Sequence, residues 1–426
     1  MSTADSLQRE LQQPGIEMSK KSELLVQLAA EAVVNDPAKG LAYGKEALRL
    51  AHTSKNKEAL AFTFSYLVSV NFMADEADNA KLAADSAIWY AGKIENKLIK
   101  GLAYYKAGWL QNLNNEPDSA VESWQKALDF LEAEQGGAKF RAAIYYAYFG
   151  IYAERGDIDK EQLYAQRALQ EAHDPLARSV LGPAWQINGT MYLDRFDLSR
   201  DTTLLDSALF SFKKNIELYL QSKGQAAVRD PIALSALFIA QIYMDHYPPW
   251  AKDSVLRYVG IALANADTVR NKRMLVNCNT ILSNYALQEG RLDEAERMLV
   301  QAKAAFGTLD PPDYYVGEML YRQLADLAEQ KGEKVLALQY YKQYVDYYKK
   351  QFDARQMETI RRLDARYQGV KKDKEIQLLK EQETFRRKQN FFYLGILIAA
   401  LFGLVFMFRA YHFRLRYSLQ REKFLR

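Results

Sequence analysis

A pattern of small and large side chains recurs along the whole chain. A small residue is followed four positions later by a bulky or small residue, and three positions further by another small one, as at Ala120, Trp124 and Ala127. Positions i, i+4 and i+7 share one face of an α-helix, so each copy predicts one packed helix stripe. The copies begin at Gly40, Ala80, Ala120, Glu161, Ala208, Ser254, Ala295 and Ala337.

A second helical segment and a short turn precede these stripes. Tyr104, Ala107 and Gly108 come before the stripe of Ala120, for example, and the turn 114–118 separates the two segments. Glycine suits the positive φ that closes a helix, and acidic residues suit the start of the next helix. The turns at Gly156, Gly290 and Gly332 therefore predict that each repeat is a pair of helices.

These residues resemble the tetratricopeptide repeat family, in the aromatic, Leu/Ala and Gly positions of the first helix and the small–large–small positions of the second. The resemblance covers residues 21–350 and implies an all-α fold, an α-solenoid of about eight hairpins with a concave groove for a protein or peptide. The spacing exceeds the family's usual value of about 34 residues, and Leu193–Leu205 is interpreted as an inserted loop or extended turn. A HEAT-like helical repeat, with its period of about 40–47 residues, is the alternative.

An apolar run near the end of the sequence predicts one membrane-spanning helix. Residues 391–408 carry no charge, and aromatic residues lie at both ends of the run. The predicted division is then an N-terminal extension at 1–20, the superhelical domain at 21–350, a juxtamembrane helix with a short coiled coil at 351–390, the transmembrane helix at 391–408 and a basic juxtamembrane helix at 409–426. In this interpretation a long helix leaves the solenoid and runs into the span.

Two features predict a parallel homodimer. Ile360, Leu363, Tyr367 and Val370 follow the 3-4-3 spacing of a short coiled-coil seam. Gly395, Ala399 and Gly403 lie four residues apart, which places small side chains on one face of the span and allows a second helix to approach closely. The alternative for the coiled-coil spacing is a helix that carries many charged residues and is exposed to solvent.

The order of these parts is similar to the input half of certain Gram-negative bacterial sensors. In those proteins a tetratricopeptide domain lies in the periplasm, and a histidine kinase or DNA-binding domain follows inside the cell. The resemblance implies a single-pass protein of the bacterial inner membrane with a periplasmic repeat domain, whose signal peptide and output domain are missing from this sequence. Lys and Arg are nearly balanced on the two sides of the run, so charge alone does not decide the orientation.

Composition excludes several functions. Only 21 glycines and 10 prolines occur, which favours long helices, and a net charge of +4 is too small to indicate nucleic-acid binding. Cys278 is the single cysteine, and the four histidines are scattered without metal-ligand spacing. Phosphate-binding loops and nucleophile motifs are absent from the sequence. The sequence therefore predicts a protein that is not an enzyme and has no cofactor.

The leading hypothesis is a membrane-anchored sensor or scaffold that binds a protein or peptide and relays the signal through its transmembrane helix. The alternatives are the input half of a histidine kinase or transmembrane regulator, and a cytoplasm-facing scaffold with a C-terminal anchor. Thr280 stands where the chaperone-binding tetratricopeptide domains place a lysine, so their two-carboxylate clamp is not matched. Positions one and five after the aromatic position predict the groove residues Tyr105, Trp109, Gln186, Thr190, Thr280, Asn284, Arg322 and Asp326.

Overall fold

The computed structural model describes residues 3–221, 230–266, 271–309, 312–353, 378, 381–393, 402, 404 and 406–414. The chain divides into two compact units, Met1–Ile360 and Arg361–Arg426. Every regular element in the described residues is helical, and the all-α helical-repeat architecture predicted from the sequence is confirmed. The described residues of the second unit are helical as well.

The first unit is a succession of helix pairs that follows a short N-terminal helix. The helices are α1 (Thr3–Leu11), α2 (Met18–Ala32), α3 (Pro37–Ser54), α4 (Lys57–Met73), α5 (Ala77–Ala91), α6 (Lys97–Leu113), α7 (Pro117–Leu131), α8 (Ala138–Arg155), α9 (Ile158–Ala172), α10 (Leu181–Ser199), α11 (Thr203–Gln221), α12 (Asp230–His246), α13 (Lys252–Asn265), α14 (Lys272–Gln288), α15 (Leu292–Phe306) and α16 (Tyr314–Gln330). Residues 334–353 form a further helix, α17. Short 3₁₀ turns at Pro175–Val180 and Pro249–Ala251 precede α10 and α13.

Each even-numbered helix from α2 to α14 forms a hairpin with the helix that follows it. The first helices of neighbouring pairs also contact one another, from α2 against α4 through to α14 against α16. Among the described helices α3 to α15, the second helices of neighbouring pairs make no such contact. The first helices therefore lie on the inner side of the curved array, and the second helices lie on its outer side.

Polar caps fix where the helices start. The side chains of Asn96, Asn271 and Asp313 accept hydrogen bonds from main-chain N–H groups in the first turns of α6, α14 and α16. Asp157 does the same for α9, directly after Gly156, whose φ of 66° closes α8. These contacts satisfy N–H groups that the helix itself leaves unpaired, and the turn between α8 and α9 occurs where Gly156 and the acidic residue after it predict it.

Close contact between the two helices of a pair depends on one small residue. A Cβ atom on Gly108 would lie 2.6 Å from the indole of Trp124, which is completely buried. The indole N–H of Trp124 donates to the main-chain oxygen of Tyr105, and its ring meets Tyr148 of the next pair edge to face. The large residue of the recurring stripe thus joins its own first helix to the next pair.

The predicted membrane-spanning helix is contradicted. Within the described part of the chain, no helix combines the length and the apolar composition needed to cross a membrane. The fold prediction is therefore wrong in its last part, and the predicted single-pass localisation in a bacterial inner membrane is wrong with it.

Other predictions for this region are not tested. Gly395, Ala399 and Gly403 lie outside the described residues, as do the coiled-coil positions Ile360, Leu363, Tyr367 and Val370. The homodimer and the five predicted domain limits remain predictions.

The prediction of an inserted loop or extended turn over Leu193–Leu205 is wrong in its extent, because most of these residues are helical. Residues up to Ser199 continue α10, Arg200 closes that helix with a φ of 56°, and α11 begins at Thr203. Asp201 accepts hydrogen bonds from the main-chain N–H and the hydroxyl of Thr203. The polar residues of this stretch are thus the end of one helix and the start of the next, joined by a tight turn.

Candidate peptide-binding surface

The inner surface carries a cluster of aromatic rings around one lysine, where α4 meets α6. The Nζ atom of Lys106 lies 5.5 Å from the ring centroid of Tyr66, 5.7 Å from that of Tyr105 and 5.6 Å from that of Trp109. Nζ also donates to the hydroxyl of Ser69 at 3.1 Å. We call these five residues the Lys106 cluster.

Neighbouring contacts hold the cluster in place. Ser69 donates its own proton to the main-chain oxygen of Tyr66, which leaves its lone pairs to accept from Lys106. Trp109 meets Phe72 edge to face at 5.3 Å, and the ring of Tyr105 lies 5.9 Å from that of Phe140 on α8. The ammonium is therefore positioned by three consecutive first helices.

The surroundings of Lys106 disfavour its positive charge. Burial lowers the pKa of its ammonium to about 8, and the nearby charge of Lys139 on α8 adds to the effect. Burial also raises the pKa of Tyr66 to about 12, with a smaller contribution from Glu31, and raises that of Tyr105 to about 12. The tyrosines are neutral at physiological pH, and burial disfavours a lone charge at this place, so an opposite charge beside Lys106 would stabilise its ammonium.

The other predicted groove residues fall into two groups. In the middle of the array, the amide of Gln186 donates to the hydroxyl of Thr190 at 3.3 Å, so these two residues are partners of one another. Thr280 is buried and donates to the main-chain oxygen of Val276, which leaves it inside the fold instead of on the groove.

Asn284 and Asp326 come together at the C-terminal end of the first unit. They line an open depression of about 380 Å³ between α14 and α16, with Leu287, Gln288, Glu329 and Gln330. Arg322 is exposed one helical turn before Asp326. Burial raises the pKa of Asp326, Arg322 opposes that change, and Glu329 adds to it. This end of the inner surface offers amides and carboxylates.

Sequence reasoning found two members of the Lys106 cluster and missed three. It selected Tyr105 and Trp109 but not Lys106, which directly follows Tyr105. Ser69 is the fifth residue after the aromatic Phe64 on α4, so the same spacing rule would have selected it. Tyr66 has no such signal, because its place in the cluster depends on how α4 lies against α6.

Comparison with solved structures supports the fold. The apo form of RapI matches with a TM-score of 0.51 and 15% sequence identity, over 77% of this chain and 98% of that one. A designed circular tandem repeat protein matches with 12% identity over 82% of this chain and 97% of that one, but its TM-score of 0.22 is too low for an argument. No protein-family model and no curated protein sequence matches the chain. The chain is a helical-repeat solenoid similar in fold to RapI.

Proposed function

We propose that the chain is a non-enzymatic scaffold that binds an extended segment of a partner protein along its inner surface. The Lys106 cluster is the observation that carries the proposal, because it places one cation among aromatic rings on the face formed by the first helices. The predicted relay through a membrane is left aside, because the span on which it depended is contradicted.

The chemistry of Lys106 favours a carboxylate of the partner. An ammonium group has three N–H donors, and Ser69 accepts from one of them. In the part of the chain that the structure describes, no carboxylate forms an ion pair with Lys106. An acidic side chain that reached Nζ would gain a charge-assisted hydrogen bond and would relieve the unfavourable field of Lys139.

The rings around Lys106 favour an apolar or aromatic residue next to that acid. Tyr105 and Trp109 present large, rigid surfaces whose burial contributes strongly to binding at interfaces. Phe72 and Phe140 support them from the neighbouring helices, so little side-chain entropy is lost when a partner binds. The segment we expect combines an acidic residue with a large apolar one.

The depression at Asn284 and Asp326 fits another part of the same partner. Its amides and carboxylates suit main-chain N–H groups or a basic side chain. Because α14 and α16 are also first helices, this depression belongs to the same inner face as the Lys106 cluster.

A peptide-display selection tests the proposal. The full chain is used to enrich random peptides, and the enriched peptides are measured by isothermal titration calorimetry. We expect sequences that carry Asp or Glu beside an aromatic or large aliphatic residue. Replacing Lys106 with Met should weaken their Kd roughly 10- to 100-fold, which is the loss of about 1.5–3 kcal/mol expected for a hydrogen bond to a charged group.

Lys93→Met is the matched control. Lys93 also lies over an aromatic ring, that of Trp89, but it is exposed in the turn after the outer helix α5. This variant should bind the selected peptides with unchanged affinity. Peptides without acidic residues, or equal affinity for the wild type and Lys106→Met, would contradict the proposal.

A further inference from the structure

A depression opens on the outer side of the array between the second helices α7 and α9. These two helices, both described from end to end, make no contact with one another, so the first helix α8 forms the floor of the gap between them. The depression has a volume of about 220 Å³. We call it the outer depression, and the lining residues that matter for its chemistry are Asp129, Glu132, Tyr145, Tyr148, Tyr164 and Arg167.

Three tyrosine rings form the aromatic part of the lining. The ring centroid of Tyr164 lies 6.0 Å from that of Tyr145 and 4.9 Å from that of Tyr148. The recurring stripes of this repeat and the preceding one are 41 residues apart, and at that offset Tyr148 corresponds to the small residue Ala107. Tyr164 corresponds to Ser123 in the same way. Two of the three rings are therefore additions that the preceding repeat lacks.

An arginine of α9 supplies a positive charge. The Cζ atom of Arg167 lies 5.7 Å from the ring centroid of Tyr145 and 6.0 Å from that of Tyr164, so aromatic rings hold its guanidinium. No carboxylate forms an ion pair with Arg167 among the residues that the structure describes. Arg141, which also borders the outer depression, differs because its guanidinium donates to Glu171 at 2.7 Å. Arg167 therefore has N–H donors for an anion that enters the depression.

Two carboxylates lie on the opposite wall, which α7 provides. Asp129 belongs to α7, and Glu132 directly follows the last residue of that helix. The Oδ1 atom of Asp129 accepts from the amide of Gln125 at 3.0 Å. Within the described residues neither carboxylate forms an ion pair, with Arg167 or with any other cation. The outer depression thus sets two carboxylates that lack a cation against one guanidinium that lacks an anion.

These charges complement those of free arginine. At neutral pH this amino acid carries one carboxylate and two cationic groups, which is the reverse of the charges in the lining. Its carboxylate can accept two parallel hydrogen bonds from a guanidinium, and its own planar guanidinium stacks on aromatic rings. A volume of about 220 Å³ is below the roughly 300–1,000 Å³ of sites for drug-sized ligands, so the space suits a single amino acid. The two carboxylates of the lining disfavour a phosphate group.

We propose that the outer depression binds a free basic amino acid, arginine, with the ligand's carboxylate at Arg167 and its two cationic groups at Asp129 and Glu132. The tyrosine rings then lie against the aliphatic and guanidinium parts of the ligand. This site lies between second helices, whereas the proposed peptide-binding surface is formed by first helices. The inference is therefore independent of the proposed function.

Isothermal titration calorimetry of the full chain with three small molecules tests the match of charges. L-arginine should bind at one site per chain. Agmatine lacks the carboxylate of arginine, and citrulline lacks the charge of its guanidinium, so each should bind roughly tenfold more weakly. The inference is overturned if L-arginine does not bind at millimolar concentration, or if agmatine or citrulline binds as tightly as L-arginine.

Three variants locate the site. Arg167→Gln should weaken the binding of L-arginine roughly tenfold without weakening that of agmatine, which has no carboxylate, whereas Asp129→Asn should weaken both. Lys126→Gln is the matched control, because Lys126 holds the position of Arg167 in the preceding repeat, with its Nζ atom 5.8 Å from the ring centroid of Tyr104. The control should bind L-arginine like the wild type. Equal losses in Arg167→Gln and Lys126→Gln, or weaker agmatine binding by Arg167→Gln, would overturn the inference.

Discussion

The ammonium of Lys106 should lose its proton far more easily than an ordinary lysine. Its pKa is lowered to about 8, mainly by burial and further by Lys139. At pH 8 about half of the Lys106 side chains are then neutral, whereas well under 1% of a lysine with a pKa of about 10.4 is neutral. The neutral amine that reacts with an acylating reagent is therefore enriched roughly 100-fold at this position.

Trace labelling with acetic anhydride between pH 6 and pH 11, followed by mass spectrometry of each lysine, measures this difference. Lys331 provides an internal contrast, because its hydrogen bond to Glu296 raises its pKa. The labelling midpoint of Lys106 should lie near pH 8 and that of Lys331 above the ordinary lysine value. Replacing Lys139 with Gln should raise the labelling midpoint of Lys106 but should leave it below the ordinary lysine value, because burial is the larger cause of the lowered pKa.

The same shift predicts how stability depends on pH. The folded state releases the Lys106 proton at a lower pH than the unfolded chain does, so burying the charge costs stability below about pH 8. That cost is relieved as pH rises from about 8 towards 10.4. The unfolding free energy of the wild type should therefore rise relative to that of Lys106→Met across this window. The reasoning would be refuted by a labelling midpoint of Lys106 at pH 10 or above, together with a difference in unfolding free energy between the two proteins that does not change with pH.

Three substitutions, two of them with a matched control, test the packing and capping of the hairpins by denaturant unfolding. Trp124→Ala should lower the free energy of unfolding by about 3–5 kcal/mol because it empties a fully buried site. Trp89→Ala, on an exposed face, should lower it by less than about 1 kcal/mol. Equal losses would contradict the assignment of Trp124 to the core. Gly108→Ala should destabilise the fold because the new Cβ would meet Trp124. At position 150 a Cβ would meet nothing within 4 Å, so Gly150→Ala should stabilise the fold by about 0.5–1 kcal/mol. The opposite order of stabilities would refute the close contact between Gly108 and Trp124. Asn96→Ala should cost about 1 kcal/mol through the lost cap of α6, and no change would show that the cap is dispensable.

Local patterns predicted the repeat unit well because they act within one hairpin. The stripe of Ala120, Trp124 and Ala127 needs only helix periodicity to be recognised, and all three residues are completely buried. The turn at Gly156 and Asp157 likewise follows from local backbone preferences. These signals lie within a few residues of sequence, so no knowledge of the neighbouring repeats is required.

Contacts between repeats were harder to predict. The groove count found Tyr105 and Trp109, but Ser69 and Tyr66 join Lys106 only because α4 packs beside α6. The same count placed Thr280 on the groove, whereas the threonine hydroxyl turns back onto its own helix. A rotation of one helix by part of a turn changes which side chain faces the groove, and the sequence pattern does not fix that rotation.

The prediction of a membrane span shows the limit of judging a segment alone. The run 391–408 was interpreted as a span from its apolar composition, and Leu193–Leu205 was interpreted as an inserted loop or extended turn because it departs from the repeat pattern. In the second case Asp201 accepts hydrogen bonds from Thr203, so two helices meet in a tight turn that takes up little of the stretch. Composition describes average preferences, whereas helix ends depend on individual hydrogen bonds.

A crystal structure of the chain bound to its tightest selected peptide tests the central claim most directly. The account predicts a carboxylate of the peptide within hydrogen-bond distance of Lys106 Nζ, and an apolar side chain of the peptide against Tyr105 and Trp109. A peptide bound along the outer helices, or one on the inner side that leaves Lys106 without a contact, would contradict it.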